Sequence, residues 1–385
     1  MIYNIKRYPT DHHPSLKAWS AADEFLVSYF FDNAHLIAPF NHRLLVFNDR
    51  FGFLTLNMQH ESKELIIFIH SQIQNYSIEL NLRENNLARN NIQFIKSDDE
   101  LPNEVNFVYI RMPKSLELYE YWLQIANKCL KKDGRVVLGF MTKHFTQSWV
   151  EIGNKYFKKV EQSLTRKKAR IMVMYEKKLE LPNLLTKISK YEFNGNCYYT
   201  LPGVFSSQCI DNASKFLIEN LPLLNLRPRK VLDLGCGNGL LGFEIFRRYP
   251  STQALDFIDD FDHAVKSAKL NAEKLGIKHK CRFYFDGILE ANHEKYDLVI
   301  SNPPFHIGYE IDINLPMRFF RFAADVLSDN AYLVIVANKH LNYGSYLSKI
   351  FNKATCIASN KKYEILKCGK NIQSILSFKD EKSKF

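Results

Sequence analysis

Shortly after its midpoint the chain reads Val231-Leu232-Asp233-Leu234-Gly235-Cys236-Gly237-Asn238-Gly239. An apolar run with one acid is typical of a buried strand, and the apolar-periodic segment 240–249 that follows predicts a helix. Glycines between a strand and a helix let the backbone turn sharply and approach a ligand closely. The stretch therefore predicts an α/β fold with a cofactor site at the glycine turn.

Strand and helix patterns alternate through the rest of this half. Apolar runs at 254–259, 281–285, 298–301 and 332–337 predict strands, and segments 263–275 and 317–327 predict helices. Alternation of this kind predicts a parallel sheet with helices on both faces.

The first half repeats this plan in weaker form. Apolar runs at 44–49, 107–110 and 134–139 predict strands in the corresponding order. We interpret this as an internal duplication, giving two tandem Rossmann-like α/β domains; two unrelated α/β domains are the alternative. The pattern breaks near residues 180–192, which predicts domains at 1–185 and 186–385.

Composition narrows the function classes. With 385 residues and a net charge of +11, the chain fits two basic domains, and a polyanionic partner such as nucleic acid is favoured over a membrane. A basic protein without such a partner is the alternative. The seven cysteines form no C-x-x-C pair, which argues against a disulfide framework and against a metal site. No secretory leader or membrane-spanning run is visible, so we expect a cytoplasmic protein.

The spacing of the glycines indicates which class of cofactor the turn can bind. The third glycine, Gly239, comes one residue early for a dinucleotide fingerprint, which favours a cofactor without a pyrophosphate. Asp259 ends the next predicted strand and is placed to accept hydrogen bonds from ribose hydroxyls, with Asp260 as the alternative. Asp286 follows the third strand and could accept from an adenine amino group, unless it belongs to an ordinary turn.

A second motif, Asn302-Pro303-Pro304-Phe305, follows the predicted strand 298–301. The side chain of Asn302 and the carbonyl of Pro303 offer two acceptors in a rigid arrangement, because proline restricts both residues. Phe305 could stack on a flat ring. The motif predicts a site for a planar group that carries an NH2, and a simple strand-to-loop turn is the alternative.

In the first half both motifs are altered. The segment 47–52 keeps one glycine and carries Arg50, and Arg111-Met112-Pro113-Lys114 stands where the second half has Asn302-Pro303-Pro304-Phe305. We therefore predict that this half does not bind the cofactor. A basic cluster with aromatic neighbours predicts an RNA surface there, the alternative being a solvated face. The cluster consists of Lys158, Lys159, Arg166, Lys167, Lys168 and Arg170.

These features resemble the class I S-adenosylmethionine-dependent methyltransferases. The resemblance implies that Asp233 and the glycines Gly235, Gly237 and Gly239 hold the methionine part of S-adenosylmethionine. It also implies that Asp259 holds the ribose and Asp286 the adenine edge. The Asn302-Pro303-Pro304-Phe305 motif is similar to that of the amino-group methyltransferases of the class, which makes Asn302, Pro303 and Phe305 the catalytic candidates.

A degenerate domain before an active one is similar to the ribosomal RNA guanine-N2 methyltransferases with duplicated domains. Further segments resemble the large-subunit members: Arg7-Tyr8-Pro9, Ala18-Trp19-Ser20-Ala21-Ala22-Asp23-Glu24, Arg83-Glu84-Asn85, Gly203-Val204-Phe205-Ser206 and Val336-Ala337-Asn338-Lys339-His340-Leu341. In this family the segment containing Phe205 flanks the cofactor, which implies that Phe205 is a cofactor contact. The alternative is that Val204 and Phe205 belong to the core.

The resemblance implies transfer of a methyl group from S-adenosylmethionine to N2 of a guanine in large-subunit (23S) rRNA. The alternatives are guanine-N2 methylation of small-subunit rRNA, adenine-N6 methylation of RNA, and a non-catalytic RNA-binding protein of ribosome assembly.

Overall fold

The structure is a computed structural model that describes residues 3–9, 17–33, 42–179, 188–289, 294–303, 306–307, 310–311, 314–351 and 353–369. The chain divides into two compact units, Met1–Lys187 and Ile188–Phe385. Each unit is built around its own seven-stranded sheet.

The first unit contains a sheet in the order β3-β2-β1-β4-β5-β7-β6. Its elements are α1 (Ala21–Asn33), β1 (Arg43–Phe47), α2 (Phe53–Met58), β2 (Glu64–Phe68), α3 (Gln72–Glu84), β3 (Ile92–Ile95), β4 (Val105–Arg111), α4 (Leu116–Cys129), β5 (Leu130–Met141), α5 (Gln147–Tyr156), β6 (Phe157–Gln162) and β7 (Ala169–Lys177). The pairs from β3 to β5 are parallel, and β7 and β6 complete the sheet in antiparallel pairs.

The second unit contains a sheet in the corresponding order, β12-β11-β10-β13-β16-β18-β17. Its elements are β8 (Ser189–Phe193), β9 (Asn196–Thr200), α6 (Asn212–Glu219), β10 (Lys230–Leu234), α7 (Leu240–Arg248), β11 (Ala254–Asp259), α8 (Asp262–Lys274), β12 (Cys281–Phe285), β13 (Tyr296–Ser301), β14 (His306–Ile307), β15 (Glu310–Ile311), α9 (Asn314–Val326), β16 (Leu327–Asn338), α10 (Tyr343–Ile350), β17 (Lys353–Ser359) and β18 (Tyr363–Gly369). The strands β8 and β9 form a separate hairpin.

The two sheets match in register as well as in order. Leu44 pairs with Phe107 in the first unit, and Val231 pairs with Leu298 in the second. The strands β5 and β16 have the same length and the same sequence of buried and exposed positions. The prediction of two tandem Rossmann-like α/β units is therefore confirmed.

The sequence patterns placed most elements of the second unit within a few residues of their observed bounds. The strands β11 and β12 have the predicted limits, whereas β16 begins at Leu327, before its predicted start. Strands β1 and β10 are buried at every position but the first, because helices cover a parallel sheet on both faces.

Topology fixes where a ligand binds in the second unit. The strand order reverses at β10, whose neighbours are β11 on one side and β13 on the other. A crevice opens at the carboxyl ends of strands at such a switch point. The glycine turn follows β10 and Asn302 follows β13, so both predicted motifs lie at this edge.

Three further predictions concern membrane-spanning helices, disulfide bonds and metal sites. Within the described ranges, no helix is long and apolar enough to cross a membrane. All seven cysteines are free thiols. The same ranges contain no group of three or more side chains suited to hold a metal ion.

Candidate active site

The glycine turn between β10 and α7 has a backbone that depends on its three glycines. Gly235, Gly237 and Gly239 have φ values of 73°, 55° and 85°, which side-chain-bearing residues rarely adopt. A Cβ on Gly239 would lie 2.5 Å from the Phe243 ring, so this glycine permits close packing of the helix. A Cβ on Gly237 would meet no heavy atom within 4 Å, so the turn borders open space there.

Asp233 lies under the turn. Its Oδ2 accepts a hydrogen bond from the backbone N–H of Gly242 at 2.8 Å, which ties β10 to the first turn of α7. Its Oδ1 is buried and has no donor among the described residues. Burial raises the pKa of Asp233 to about 8, although the Gly242 N–H favours the charged form. A buried acceptor without a donor next to the glycine turn fits a ligand that carries an ammonium group, as S-adenosylmethionine does.

The raised pKa of Asp233 predicts a pH-dependent stability. The unfolded chain releases this proton near the ordinary value of 3.8, whereas the folded protein holds it up to about 8. Its contribution to stability is therefore complete at low pH and is lost as the pH rises towards 8. We expect Asp233→Asn, measured without cofactor by thermal unfolding, to lose less stability than the wild type across this range. Parallel curves for the two proteins would contradict this reading of the carboxyl.

Asp259 lies at the end of β11, beside the turn. Its Oδ2 accepts from the N–H of Gly237 and its Oδ1 from the N–H of Phe261, both at 2.9 Å. Burial raises the pKa of Asp259, and these N–H groups oppose the rise. Each carboxylate oxygen can accept a second hydrogen bond, so the arrangement is compatible with ribose hydroxyls. The ribose role stays a prediction.

Asp286 and Phe205, the two remaining candidates for cofactor contacts, differ in their surroundings. Asp286 uses Oδ1 to accept from the N–H groups of Ile288 at 2.8 Å and Leu289 at 3.0 Å, as expected for an ordinary turn. Phe205 has 66% of its surface exposed, whereas its neighbour Val204 is buried. Both assignments as cofactor contacts stay predictions.

Asn302 lies at the carboxyl end of β13. Its Nδ2 donates to Oδ2 of Asp211 at 2.9 Å and to Oγ of Ser214 at 3.1 Å. The preceding Ser301 donates from Oγ to the carbonyl of Leu234 at 2.6 Å, which ties the end of β13 to β10. The amide is therefore held beside the glycine turn. Pro303 is buried, and Phe305 lies outside the described residues.

Several residues that brace the turn were not predicted from the sequence. Asn238 donates from Nδ2 to the hydroxyls of Tyr191 at 2.9 Å and Thr200 at 3.1 Å. Asn271, on α8, donates to the carbonyls of Asn238 and Tyr199 at 2.9 and 2.8 Å. The β8–β9 hairpin thus supports the glycine turn. The position of Asn238 between two glycines is the one local sequence signal that a side chain supports the turn.

The first unit keeps the path of this turn but fills it with side chains. Asn48 and Gly52 have φ values of 63° and 85°, close to those of Gly235 and Gly239. Asp49 accepts from the N–H and the Oγ1 of Thr55 at 2.7 and 2.6 Å. Burial raises the pKa of Asp49 to about 6. Its carboxylate therefore holds the start of α2, as Asp233 holds the start of α7.

Register places Arg111 of the first unit where the second has Asn302. Each lies four residues beyond the matched strand pairs Leu44–Phe107 and Val231–Leu298. Arg111 forms an ion pair from Nε to Oδ1 of Asp23 at 2.9 Å and donates to Oγ of Ser20 at 3.1 Å. A guanidinium has no acceptor, so this position lacks the group that could accept from an amine.

The predicted RNA cluster separates into two groups. Arg166, Lys167 and Lys168 form the turn before β7, at the carboxyl end of β5, because Met141 pairs with Ala169. Lys158 and Lys159 lie near the other end of this sheet, where Lys159 pairs with Tyr175. Successive strand residues point to opposite faces, so these two lysines do not share a surface.

Arg166, Lys167 and Lys168, called the turn group below, have an unusual backbone conformation. Arg166 and Ala169 exchange two backbone hydrogen bonds at 2.8 Å, and Lys167 and Lys168 between them have φ values of 50° and 62°. Asparagine and glycine normally occupy such a hairpin turn, so two lysines here are held at a cost in strain. Arg170, next along the chain, donates from Nε to the carbonyl of Ser163 at 2.8 Å and so supports the hairpin.

Comparison with known proteins identifies the family. The RLMG N-terminal domain model matches residues 2–178, and the methyltransferase small domain model matches residues 196–367. Ribosomal RNA large subunit methyltransferase G of Psychromonas ingrahamii is 31% identical over 375 residues, which cover 95% of this chain and 96% of that protein. The protein of the same name from Shewanella oneidensis is 32% identical, with coverage of 94% and 96%. This chain belongs to the ribosomal RNA large subunit methyltransferase G family.

Membership in the ribosomal RNA large subunit methyltransferase G family confirms the predicted enzyme class, an S-adenosylmethionine-dependent methyltransferase. A solved structure with a similar fold is described as the T. thermophilus 16S rRNA N2 G1207 methyltransferase (RsmC) in complex with AdoMet and guanosine. It superposes with a TM-score of 0.74 at 20% identity, covering 93% of this chain and 94% of that one. This likeness extends over both units and shows the fold.

Proposed function

We propose that the protein methylates N2 of a guanine in large-subunit (23S) rRNA. The observation that carries the proposal is the Asn302 carboxamide, held at the end of β13 beside the glycine turn. The guanine and the large subunit are supported by the names of relatives, which are large-subunit methyltransferases, and by the fold neighbour, which is described as an N2 enzyme.

The second unit supplies the chemistry in this proposal. S-adenosylmethionine, when bound, supplies a methyl group that its sulfonium already activates. The protein contributes orientation, because a guanine amine is a poor nucleophile while its lone pair is delocalised into the ring. Asn302 Oδ1 and the Pro303 carbonyl would accept the two amine hydrogens and let the nitrogen become tetrahedral. These hydrogen bonds strengthen as positive charge develops on the nitrogen, which stabilises the transition state selectively.

The remaining site assignments belong to the same proposal. Asp233, Gly235, Gly237 and Gly239 would hold the methionine part of the cofactor. Asp259, Asp286 and Phe205 would contact its ribose and adenine, and Phe305 would stack on the target base, a contact worth ~1–3 kcal/mol. We assign catalysis to residues 186–385 and RNA binding to residues 1–185. No general base is needed in this scheme.

The proposal is tested by methyl transfer to defined RNA. Purified protein is incubated with labelled S-adenosylmethionine and 23S or 16S rRNA from a strain that lacks the enzyme, and the nucleosides are then analysed. We expect N2-methylguanosine in 23S rRNA. Label in 16S rRNA would move the substrate to the small subunit, and N6-methyladenosine would change the base. The absence of label from both RNAs and from assembly particles would favour a binding protein.

We also expect the turn group of the first unit to contact RNA phosphates. Changing Arg166, Lys167 and Lys168 to glutamine should weaken RNA binding, and each lost phosphate contact should lower the slope of log affinity against log salt by about 0.7–0.9. The double variant of Lys158 and Lys159 to glutamine is the matched comparison at the other end of the sheet. An unchanged slope in the triple variant, with a reduced slope in the double variant, would place the RNA at that other end.

A further inference from the structure

The orientation of the Asn302 amide is set by two side chains at the start of α6. Asp211 precedes this helix and caps it, since its Oδ2 accepts from the N–H of Ser214 at 2.9 Å. The same Oδ2 and the Oγ of Ser214 accept the two Nδ2 hydrogens of Asn302 at 2.9 and 3.1 Å. Two hydrogen bonds therefore join the end of β13 to the start of α6.

These contacts admit one orientation of the amide. An ionised carboxylate has acceptors and no hydrogen to donate, so the side of the Asn302 amide that faces Asp211 must be its NH2. With both Nδ2 hydrogens bound, Oδ1 points away from Asp211. Among the described residues Oδ1 has no hydrogen-bond donor. An amide rotated by half a turn would present donors to a target amine, which is the wrong polarity for holding it.

We propose that Asp211 and Ser214 are positioning residues that fix the Asn302 amide with its oxygen towards the target amine. The inference rests on the proposed function, because that function supplies the amine. It adds two residues from outside both sequence motifs. Neither is expected to touch the substrate, and both act through the rotation of one side chain.

The first unit holds its corresponding residue in the same way. Arg111 is bound by Asp23 and Ser20, which lie three residues apart at the start of α1. Asp211 and Ser214 have the same spacing at the start of α6, with the serine and the aspartate in the opposite order. In the first unit the carboxylate binds a guanidinium. The duplicated fold thus uses the beginning of one helix to orient whatever side chain follows the fourth strand, which argues that the contact has a positioning role in both units.

The helix that carries the positioning residues is firmly packed. Ala213, Leu217 and Ile218 on α6 are buried in the core of the second unit together with Val334 and Ile365 of the sheet. Because the helix is anchored independently of Asn302, a change at Asp211 that preserves capping should leave the fold intact. This separates the positioning role from a structural one.

Asp211→Gly is the decisive variant. One Asp211 oxygen both caps α6 and accepts from Asn302, so an asparagine that still caps the helix would keep its oxygen towards Asn302. Glycine begins a helix at little cost in stability, but it offers Asn302 no acceptor and so releases the amide. We expect kcat to fall roughly 10- to 100-fold, with the melting temperature only slightly lowered and the KM for S-adenosylmethionine unchanged. Asp211→Asn, whose carbonyl oxygen can take over both contacts, should keep kcat close to that of the wild type. Ser214→Ala should lower kcat less than Asp211→Gly, and Ser214→Thr, which keeps the hydroxyl, should restore it. A kcat for Asp211→Gly equal to that of the wild type would overturn the inference.

Two further measurements complete the test. Ser115→Ala removes the capping side chain of α4, and it should lower stability without changing kcat. The side-chain amide resonances of Asn302 in protein labelled with ¹⁵N-asparagine, assigned with Asn302→Ala, should shift between the wild type and Asp211→Gly. If the wild type methylates no RNA, the proposed function fails, and these resonances still decide the orientation: a shift supports it, and identical resonances overturn it.

Discussion

Asn302→Ala is expected to lower kcat for methyl transfer by roughly 10²–10³-fold, the usual effect of removing one group that stabilises developing charge in a transition state. The Pro303 carbonyl remains, so one of the two acceptors survives. Cofactor affinity should be unchanged, because the glycine turn is braced by Asn238 and Asn271 rather than by Asn302. Single-turnover methyl transfer to 23S rRNA measures the first quantity, and calorimetric titration with S-adenosylhomocysteine measures the second.

A matched control is available on the same helix–strand unit. Asn220 ends α6, and its amide donates to the carbonyl of Phe216 at 2.8 Å, away from the site. Asn220→Ala should therefore leave kcat unchanged. Normal turnover by Asn302→Ala would remove this residue from the catalytic assignment, and a parallel loss of cofactor affinity would make it part of the cofactor site.

The fold could be predicted because its signals are local. The glycine turn, the apolar runs and their spacing each lie within a short segment, and the two halves repeat them in the same order. Strand β11 could be delimited because its apolar run is bounded by polar residues on both sides. The start of β16 could not, since residues 327–330 are mostly polar, and only Leu327 among them pairs with β13 before the register shifts.

The site could be predicted only in part, since much of its geometry depends on distant contacts. Asp211 and Ser214 lie 91 and 88 residues before Asn302, so no local pattern links them to it. In the basic cluster, residues that are neighbours in the sequence are separated in the structure. Lys159 and Arg166 are close in the sequence, but the hairpin places them towards different ends of the sheet.

The structural role of Asp233, the acid in the glycine motif, could not be predicted from the local sequence. The resemblance assigns Asp233 to the cofactor, and the structure shows that one of its oxygens accepts a hydrogen bond from the first turn of α7. The first unit has valine at the corresponding Val46, yet it recovers the same support for α2 through Asp49. The helix support is therefore present in both units, whereas Gly237, which borders open space, is replaced by Arg50 in the first unit.

Gly237→Arg should convert the active turn into the form found in the first unit, where Arg50 stands at the corresponding position. A Cβ at Gly237 would meet no heavy atom within 4 Å, so a side chain can start there without a clash, and the φ of 55° adds strain of only about 1 kcal/mol. The side chain would, however, occupy the space that the predicted cofactor needs. We expect calorimetric titration to show at least a 100-fold loss of cofactor affinity, equivalent to about 2.7 kcal/mol, with the melting temperature only slightly lowered.

Gly276→Arg separates loss of the cofactor space from backbone strain. Gly276 follows α8, has a φ of 70°, and also has no heavy atom within 4 Å of an added Cβ. Its substitution imposes similar strain on an exposed turn, so it should lower stability to a similar degree and leave cofactor affinity intact. Equal affinities for the Gly237 and Gly276 variants would show that the space beside Gly237 is not the cofactor site. The reverse change, Arg50→Gly, should not create a cofactor site, because Val46 still replaces Asp233.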